Sequence, residues 1–162
     1  WEGTAMHAAC PYGNLKLIRL LVEQRANVHA TGSNGANLFW QAAYFGQANI
    51  ANYAIEQSVD IEQVARHPDS FELSHSPLHT AAVAGHSSVA AVLLSARANP
   101  NIDDSHGKSP LEDAIELCHA DVVQLLIRSN ADVFEQRVTQ RQMTSGRNST
   151  MSVGYSMTVR SF

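Results

Sequence analysis

A helical pattern that recurs about every 33 residues is the feature that most constrains the fold of this chain. The first segment of each copy ends at Gly13, Gly46, Gly85 or Cys118, at intervals of 33, 39 and 33 residues. A run of apolar side chains spaced three and four apart follows each of these positions, and this spacing is typical of one face of a helix. The pattern therefore indicates a repeat array with one insertion.

The pattern predicts two short antiparallel helices in each copy. These helices bury their apolar faces only by stacking on a neighbouring copy. The first helices carry the small pairs Ala42–Ala43 and Ala81–Ala82, which allow neighbouring helices to approach closely. The second helices carry apolar residues at matching offsets, namely Leu17, Ile18, Leu21 and Val22, then Ile50, Ala51, Ala54 and Ile55, then Val89, Ala90, Leu93 and Leu94, and finally Val122, Val123, Leu126 and Ile127.

The third copy carries the most complete motif. It runs Ser76–Pro77–Leu78–His79, then Ala81–Ala82, Gly85, Val89, Leu93–Leu94 and Ala98–Asn99. This motif resembles the ankyrin repeat, and the resemblance covers about residues 2–134. It implies an all-α ankyrin-repeat solenoid of stacked helix-turn-helix units with β-hairpin fingers, followed by a C-terminal extension. In that family the histidine of the motif bonds to backbone and ties adjacent loops together, which is the role implied for His7 and His79.

We predict an ankyrin-repeat domain over residues 1–134, with repeats at about 1–30, 31–73, 74–105 and 106–134 and an insertion near 65–73. Residues 135–162 are predicted to form a basic extension rich in serine and threonine. Within it, residues 150–160 alternate between apolar and polar side chains, which favours a strand. Disorder is the open alternative, because a lone strand is not stable in water.

Several positions depart from the family pattern. The glycine that ends the second helix is replaced by Arg25, Ser58, Arg97 and Asn130, although a left-handed cap favours glycine by about 1 kcal/mol over most residues. Pro11 lies late in a first helix and should loosen its last turn. We therefore expect an array less stable than an idealised one.

Composition excludes several classes of protein. The first 133 residues hold 7 Lys/Arg against 14 Asp/Glu, and the remainder holds 4 Arg against 1 Glu. An acidic body is a poor electrostatic match for nucleic acid, and no stretch approaches the roughly 20 apolar residues of a membrane span. Two cysteines make no disulfide framework, which favours a reducing, intracellular compartment, either cytoplasmic or nuclear. We expect the chain to be a domain of a longer protein.

Motifs for catalysis or cofactor binding are weak. His86 and His119 lie at the same offset in adjacent copies and are interpreted as a surface pair, since no supporting carboxylate has a convincing spacing. Nothing near Cys10 or Cys118 in the sequence would lower the pKa of a thiol nucleophile. The clustered carboxylates would need a cleft for acid–base work. We therefore expect no enzymatic activity, no cofactor and no metal site.

The remaining prediction is a surface for a protein or peptide partner. The family binds partners on the concave face of first helices and finger tips, so aromatic side chains there would anchor binding and an acidic end would attract basic residues. The candidate contacts are Tyr12, Trp40, Gln41, Tyr44, Phe45, Arg66, His67, Val83, Asp104, Asp113 and Glu116. The predicted function is a non-catalytic protein–protein interaction module. The alternative is a regulatory segment of a larger enzyme or ion channel, with the basic tail docking in cis.

Overall fold

The computed structural model describes residues 4–67 and 70–131, and for residues 67 and 70–73 it describes the backbone alone. Helices alternate along the described chain as first and second members of four pairs. The elements are α1 (Ala5–Ala9), a 3₁₀ turn (Cys10–Tyr12), α2 (Leu15–Glu23), α3 (Leu38–Tyr44), α4 (Ala48–Glu56), β1 (Ala65–His67), β2 (Ser70–His75), α5 (Pro77–Val83), α6 (Ser87–Ser95), α7 (Pro110–Glu116) and α8 (Ala120–Arg128). The predicted repeat solenoid is therefore confirmed.

The first helices begin where polar side chains cap their exposed backbone N–H groups. Asn37 Oδ1 accepts the N–H of Trp40 at 2.9 Å at the start of α3. The hydroxyl of Ser109 accepts the N–H of Glu112, whose carboxylate in turn accepts the N–H of Ser109 at 2.6 Å. This reciprocal pair is a capping box, and it fixes the start of α7.

The residues that replace glycine at the ends of the second helices adopt the left-handed conformation, as predicted. Arg25, Ser58, Arg97 and Asn130 all adopt a positive φ, between 54° and 68°. Cys118 adopts φ 59° at the position that Gly85 holds in the preceding copy, where φ is 71°. Five non-glycine residues therefore occupy a backbone region that L-amino acids disfavour.

Pro11 also acts as predicted. Helix α1 ends at Ala9, and the chain continues as a 3₁₀ turn that closes at Gly13 with φ 64°. The loosened last turn places Tyr12 at its tip.

The core runs continuously through the stack. The alanine pairs of α3 and α5 are fully buried, and so are Ile50, Val89 and Val122 at matching positions of successive second helices. Small side chains on the first helices leave room for direct helix–helix contact, while branched side chains on the second helices fill the space between layers.

The insertion forms an antiparallel hairpin. Ala65 pairs with His75 and Arg66 with Ser74, with an irregularity between Arg66 and His67. The hairpin is held by the preceding finger, because the N–H of Arg66 donates to the carbonyl of Asn34 at 3.0 Å and Asn34 Nδ2 donates back to the carbonyl of Arg66 at 3.0 Å. The predicted basic extension and its strand at 150–160 lie outside the described residues.

Candidate functional site

The aromatic residues of the first two repeats form a graded series from buried to exposed. Tyr12, at the tip of the 3₁₀ turn, is 86% exposed. Tyr44 and Phe45 are half-buried at the end of α3, with ring centroids 4.9 Å apart in an edge-to-face arrangement. The turn that carries Tyr12 packs against α3. Tyr12, Tyr44 and Phe45 are the aromatic side chains predicted to anchor a partner, and all three reach solvent.

Trp40 and Gln41 were predicted as partner contacts, and their burial corrects that prediction. They are 0% and 1% exposed, so neither reaches the surface of the described structure. The indole Nε1 of Trp40 donates to the carbonyl oxygen of His75 at 3.0 Å, and its ring stacks on Tyr44 with centroids 5.5 Å apart. Trp40 therefore supports Tyr44 from beneath.

The bond from Trp40 matches the bonds that the motif histidines make. His7 Nε2 lies 2.9 Å from the carbonyl oxygen of Ala36, and His79 Nε2 lies 3.0 Å from that of Lys108. Because a carbonyl oxygen only accepts, both ring nitrogens donate. All three acceptors stand one residue before the capping residue of the next first helix. The tethering role implied for His7 and His79 is confirmed, and Trp40 performs it with different chemistry.

The remaining predicted partner contacts lie on other elements of the structure. Arg66 is exposed on the insertion hairpin, and Val83 is half-buried at the end of α5. The side chain of His67 lies outside the described part of the structure. The carbonyl oxygen of Val83 accepts a bond from His119 Nε2 at 3.0 Å. His119 therefore packs against the preceding repeat, and its pairing with His86 stays a prediction.

The predicted acidic end is largely buried, which corrects its interpretation as a surface. The side chain of Asp104 is only 2% exposed, and its Oδ1 accepts the N–H groups of His106 and Lys108, each at 2.8 Å. Asp113 is 8% exposed. Glu116 is exposed and pairs with Lys108 Nζ at 2.6 Å. Of these three carboxylates, Glu116 alone is placed to meet a partner.

The surroundings of Asp113 disfavour the charged form of its carboxylate. Burial, and secondarily the charge of Asp104, raises its pKa to about 6, although Lys108 acts in the opposite direction. Its Oδ2 atom is buried and has no hydrogen-bond partner among the residues that the structure describes. A buried acceptor of this kind costs free energy unless something satisfies it.

Sequence reasoning missed His75, which brings a ring nitrogen to the two buried carboxylates. Its Nε2 lies 3.6 Å from Asp104 Oδ2, and its ring stacks on His79 with centroids 5.7 Å apart. One potential ligand atom from each of His75, Asp104 and Asp113 lies within 4.8 Å of the other two. The alignment of the repeats could have indicated this contact. His75 precedes Ser76, the capping residue of α5, and that position lies beside the finger that contains Asp104.

These features define a class: an array of helical repeats in which successive first helices pack on one another and side-chain tethers join neighbouring copies. A family model described as ankyrin repeats (3 copies) matches residues 1–65 and 40–137. The chain belongs to the ankyrin-repeat family, whose arrays are protein-interaction modules. No helix in residues 4–67 or 70–131 is long and apolar enough to cross a membrane.

Similar proteins include a channel and two enzymes. The chain is 25% identical over 132 residues to the transient receptor potential cation channel subfamily A member 1 homolog of Caenorhabditis elegans, covering 82% of this chain and 10% of that protein. It is 34% identical over 117 residues to glutaminase liver isoform, mitochondrial, of Rattus norvegicus (71% and 18%). It is 30% identical over 109 residues to palmitoyltransferase Hip14 of Drosophila melanogaster (67% and 16%). The chain thus spans less than a fifth of the length of each of these relatives.

Proposed function

We propose that this chain is a non-catalytic, intracellular interaction module that binds an extended segment of a partner protein across its first helices. The observation that carries the proposal is the 86% exposure of Tyr12 on a turn that packs against α3, the helix that ends at the half-buried Tyr44 and Phe45. Aromatic side chains are the commonest energetic anchors of protein interfaces, because they bury a large area and have few rotatable bonds.

The chemistry of the surface restricts the partner. The aromatic residues suit an apolar anchor in the bound segment, and Val83 extends the apolar surface along the same row of first helices. Glu116 lies beyond it on α7 and suits a basic residue, while Arg66 on the insertion suits an acidic one. Because Asp104 and Asp113 are buried, the attraction for basic segments is weaker than the sequence suggests.

Affinity measurements with selected peptides test the proposal. Peptides selected from a displayed random library on the intact chain would be measured against Tyr12→Ala and Tyr44→Ala. We expect each change to weaken binding by about 1 kcal/mol or more, which is roughly fivefold. Leu20→Ala is the matched control, since it truncates an exposed apolar side chain on a second helix. Equal binding by wild type and both tyrosine variants would contradict the proposal.

A second proposal is that the module regulates a larger enzyme or channel to which it is covalently joined. It is supported by the channel and the two enzymes among its relatives and by the small fraction of each that the chain spans. The full reading frame would decide, since a catalytic or membrane domain beyond these residues favours regulation in cis. Docking of the basic extension is tested by deleting residues 135–162, and unchanged peptide affinity would argue against it.

A further inference from the structure

We propose that His75, Asp104 and Asp113 form a zinc-binding site that joins the third and fourth repeats. The three residues come from three different elements: the end of strand β2, the finger that follows α6, and helix α7. Their ligand-type atoms lie within 4.8 Å of one another, and all three side chains are almost completely removed from solvent. A metal at this point would fasten both sides of the junction.

The separations fit a tetrahedral ion. Zinc binds histidine nitrogen and carboxylate oxygen at about 2.1 Å, so two ligands of one tetrahedral ion lie about 3.4 Å apart. The 3.6 Å between His75 Nε2 and Asp104 Oδ2 is close to this value. Small side-chain rotations would bring in the third ligand atom. Three protein ligands leave a fourth position for water.

A second observation points to a ligand at the same place. Asp113 is more than nine-tenths buried, yet its Oδ2 atom has no hydrogen-bond partner within the described residues. The charges that act on Asp113 are those of Asp104, Glu112 and Glu116, opposed by Lys108. Buried carboxylates with excess negative charge around them are stabilised by a cation.

The ligand atoms that His75, Asp104 and Asp113 offer determine which metal ions fit the site. One imidazole nitrogen and two carboxylate oxygens suit zinc and its spectroscopic substitute Co²⁺. Calcium requires six to eight oxygen ligands and magnesium a near-ideal octahedron of oxygens, neither of which this cluster offers. The site is also connected to the inter-repeat contacts, because the ring of His75 stacks on His79 and its carbonyl oxygen accepts the bond from Trp40.

Metal titration of the intact chain tests the proposal. The chain would be stripped with a chelator, and Zn²⁺ binding would be measured by calorimetry against a competing chelator. Co²⁺ binding would be measured by the visible absorption of a tetrahedral complex. Cys118→Ser serves as the background, because Cys118 is an exposed thiol that could bind metal adventitiously. We expect one equivalent to bind, and Zn²⁺ to raise the thermal midpoint in a concentration-dependent manner.

Two ligand variants and one control decide the outcome. Asp113→Asn keeps the shape of the side chain, and His75→Gln removes the imidazole. Each should lower zinc affinity by more than the roughly 10–100-fold that loss of a supporting hydrogen-bond partner costs. His106→Gln changes an exposed histidine of the same finger and should leave affinity unchanged. If His75→Gln does not fold, Asp113→Asn decides alone. Absence of stoichiometric binding, or unaltered binding by Asp113→Asn, would show that the cluster is not a metal site.

Discussion

The indole of Trp40 donates to the carbonyl oxygen of His75 at 3.0 Å across the junction between the second and third repeats. At the flanking junctions the same acceptor position receives a bond from His7 or His79. The second junction also spans the insertion, so the chain between donor and acceptor is longer there. A larger donor thus serves the junction that carries the hairpin.

Replacing Trp40 by phenylalanine should destabilise the fold. The change removes the Nε1 donor and leaves the buried carbonyl of His75 without that bond, which costs about 1–3 kcal/mol. Urea unfolding followed by far-ultraviolet circular dichroism measures the loss. Tyr12→Phe is the control, since it removes a hydroxyl from an exposed ring and should stay within about 0.5 kcal/mol of wild type. A Trp40→Phe variant as stable as that control would refute a stabilising role for the bond.

Glycine at the ends of the second helices should stabilise the array. Arg97 has φ 68°, so Arg97→Gly relieves backbone strain, and a gain of about 0.5–1 kcal/mol is expected after the added flexibility of the unfolded chain is subtracted. Asn130→Gly should gain less, because asparagine tolerates this conformation. Urea midpoints measured across both variants provide the comparison.

The reverse change provides a control for that series. Gly85 has φ 71°, and a Cβ placed there would lie 2.6 Å from Nδ1 of His119. Gly85→Ala should therefore destabilise the protein through both strain and crowding. If Arg97→Gly and Gly85→Ala shift the midpoint in the same direction, backbone strain does not govern these positions.

The two thiols should react at very different rates. Cys10 is fully buried, and burial raises its pKa to about 12, so almost no thiolate forms at about pH 8. Cys118 is exposed. An aromatic disulfide reagent should label one thiol rapidly and the second only after denaturation. Cys118→Ser should abolish the rapid phase, and rapid labelling that survives this change would contradict the placement of Cys10.

The insertion hairpin should depend on Asn34. Asn34→Ala removes the bond from Nδ2 to the carbonyl of Arg66 and the bond that Oδ1 accepts from the N–H of Ala36. We expect the free energy of unfolding to fall by about 1 kcal/mol. We also expect faster hydrogen exchange at the amide of Arg66, which donates to the backbone carbonyl of Asn34. Ser33→Ala, an exposed change in the same turn, is the control. Unchanged exchange at Arg66 would indicate that the hairpin holds its position without Asn34.

Periodicity predicted most of the fold, because stacking demands the same apolar positions in every copy. The resemblance of the motif to the ankyrin repeat implied the left-handed caps at Arg25, Ser58, Arg97 and Asn130, and it implied the tethers of His7 and His79. These features depend on local chemistry that recurs, so one well-formed copy specifies the others.

The candidate site was less predictable for a physical reason. Trp40 is predicted as a partner contact, yet it fills the buried position that a histidine holds in the first and third copies. Asp104 and Asp113 were interpreted as a surface charge, although the adjacent finger and helix bury them. Burial depends on contacts between copies, which register locates only approximately. The contacts of His75 were not predicted, because Asp104 and Asp113 lie about one repeat length further along the chain.

The tether of Trp40 has a consequence for spectroscopy. The chain has two tryptophans, so Trp1→Phe would leave Trp40 as the sole indole. Its emission would then report water entering one junction and not the average loss of helix. In a repeat array whose halves separate before they melt, fluorescence would change at a lower denaturant concentration than circular dichroism. Coincident fluorescence and circular dichroism curves would instead indicate that the array unfolds as one cooperative unit, including the junction that carries the hairpin.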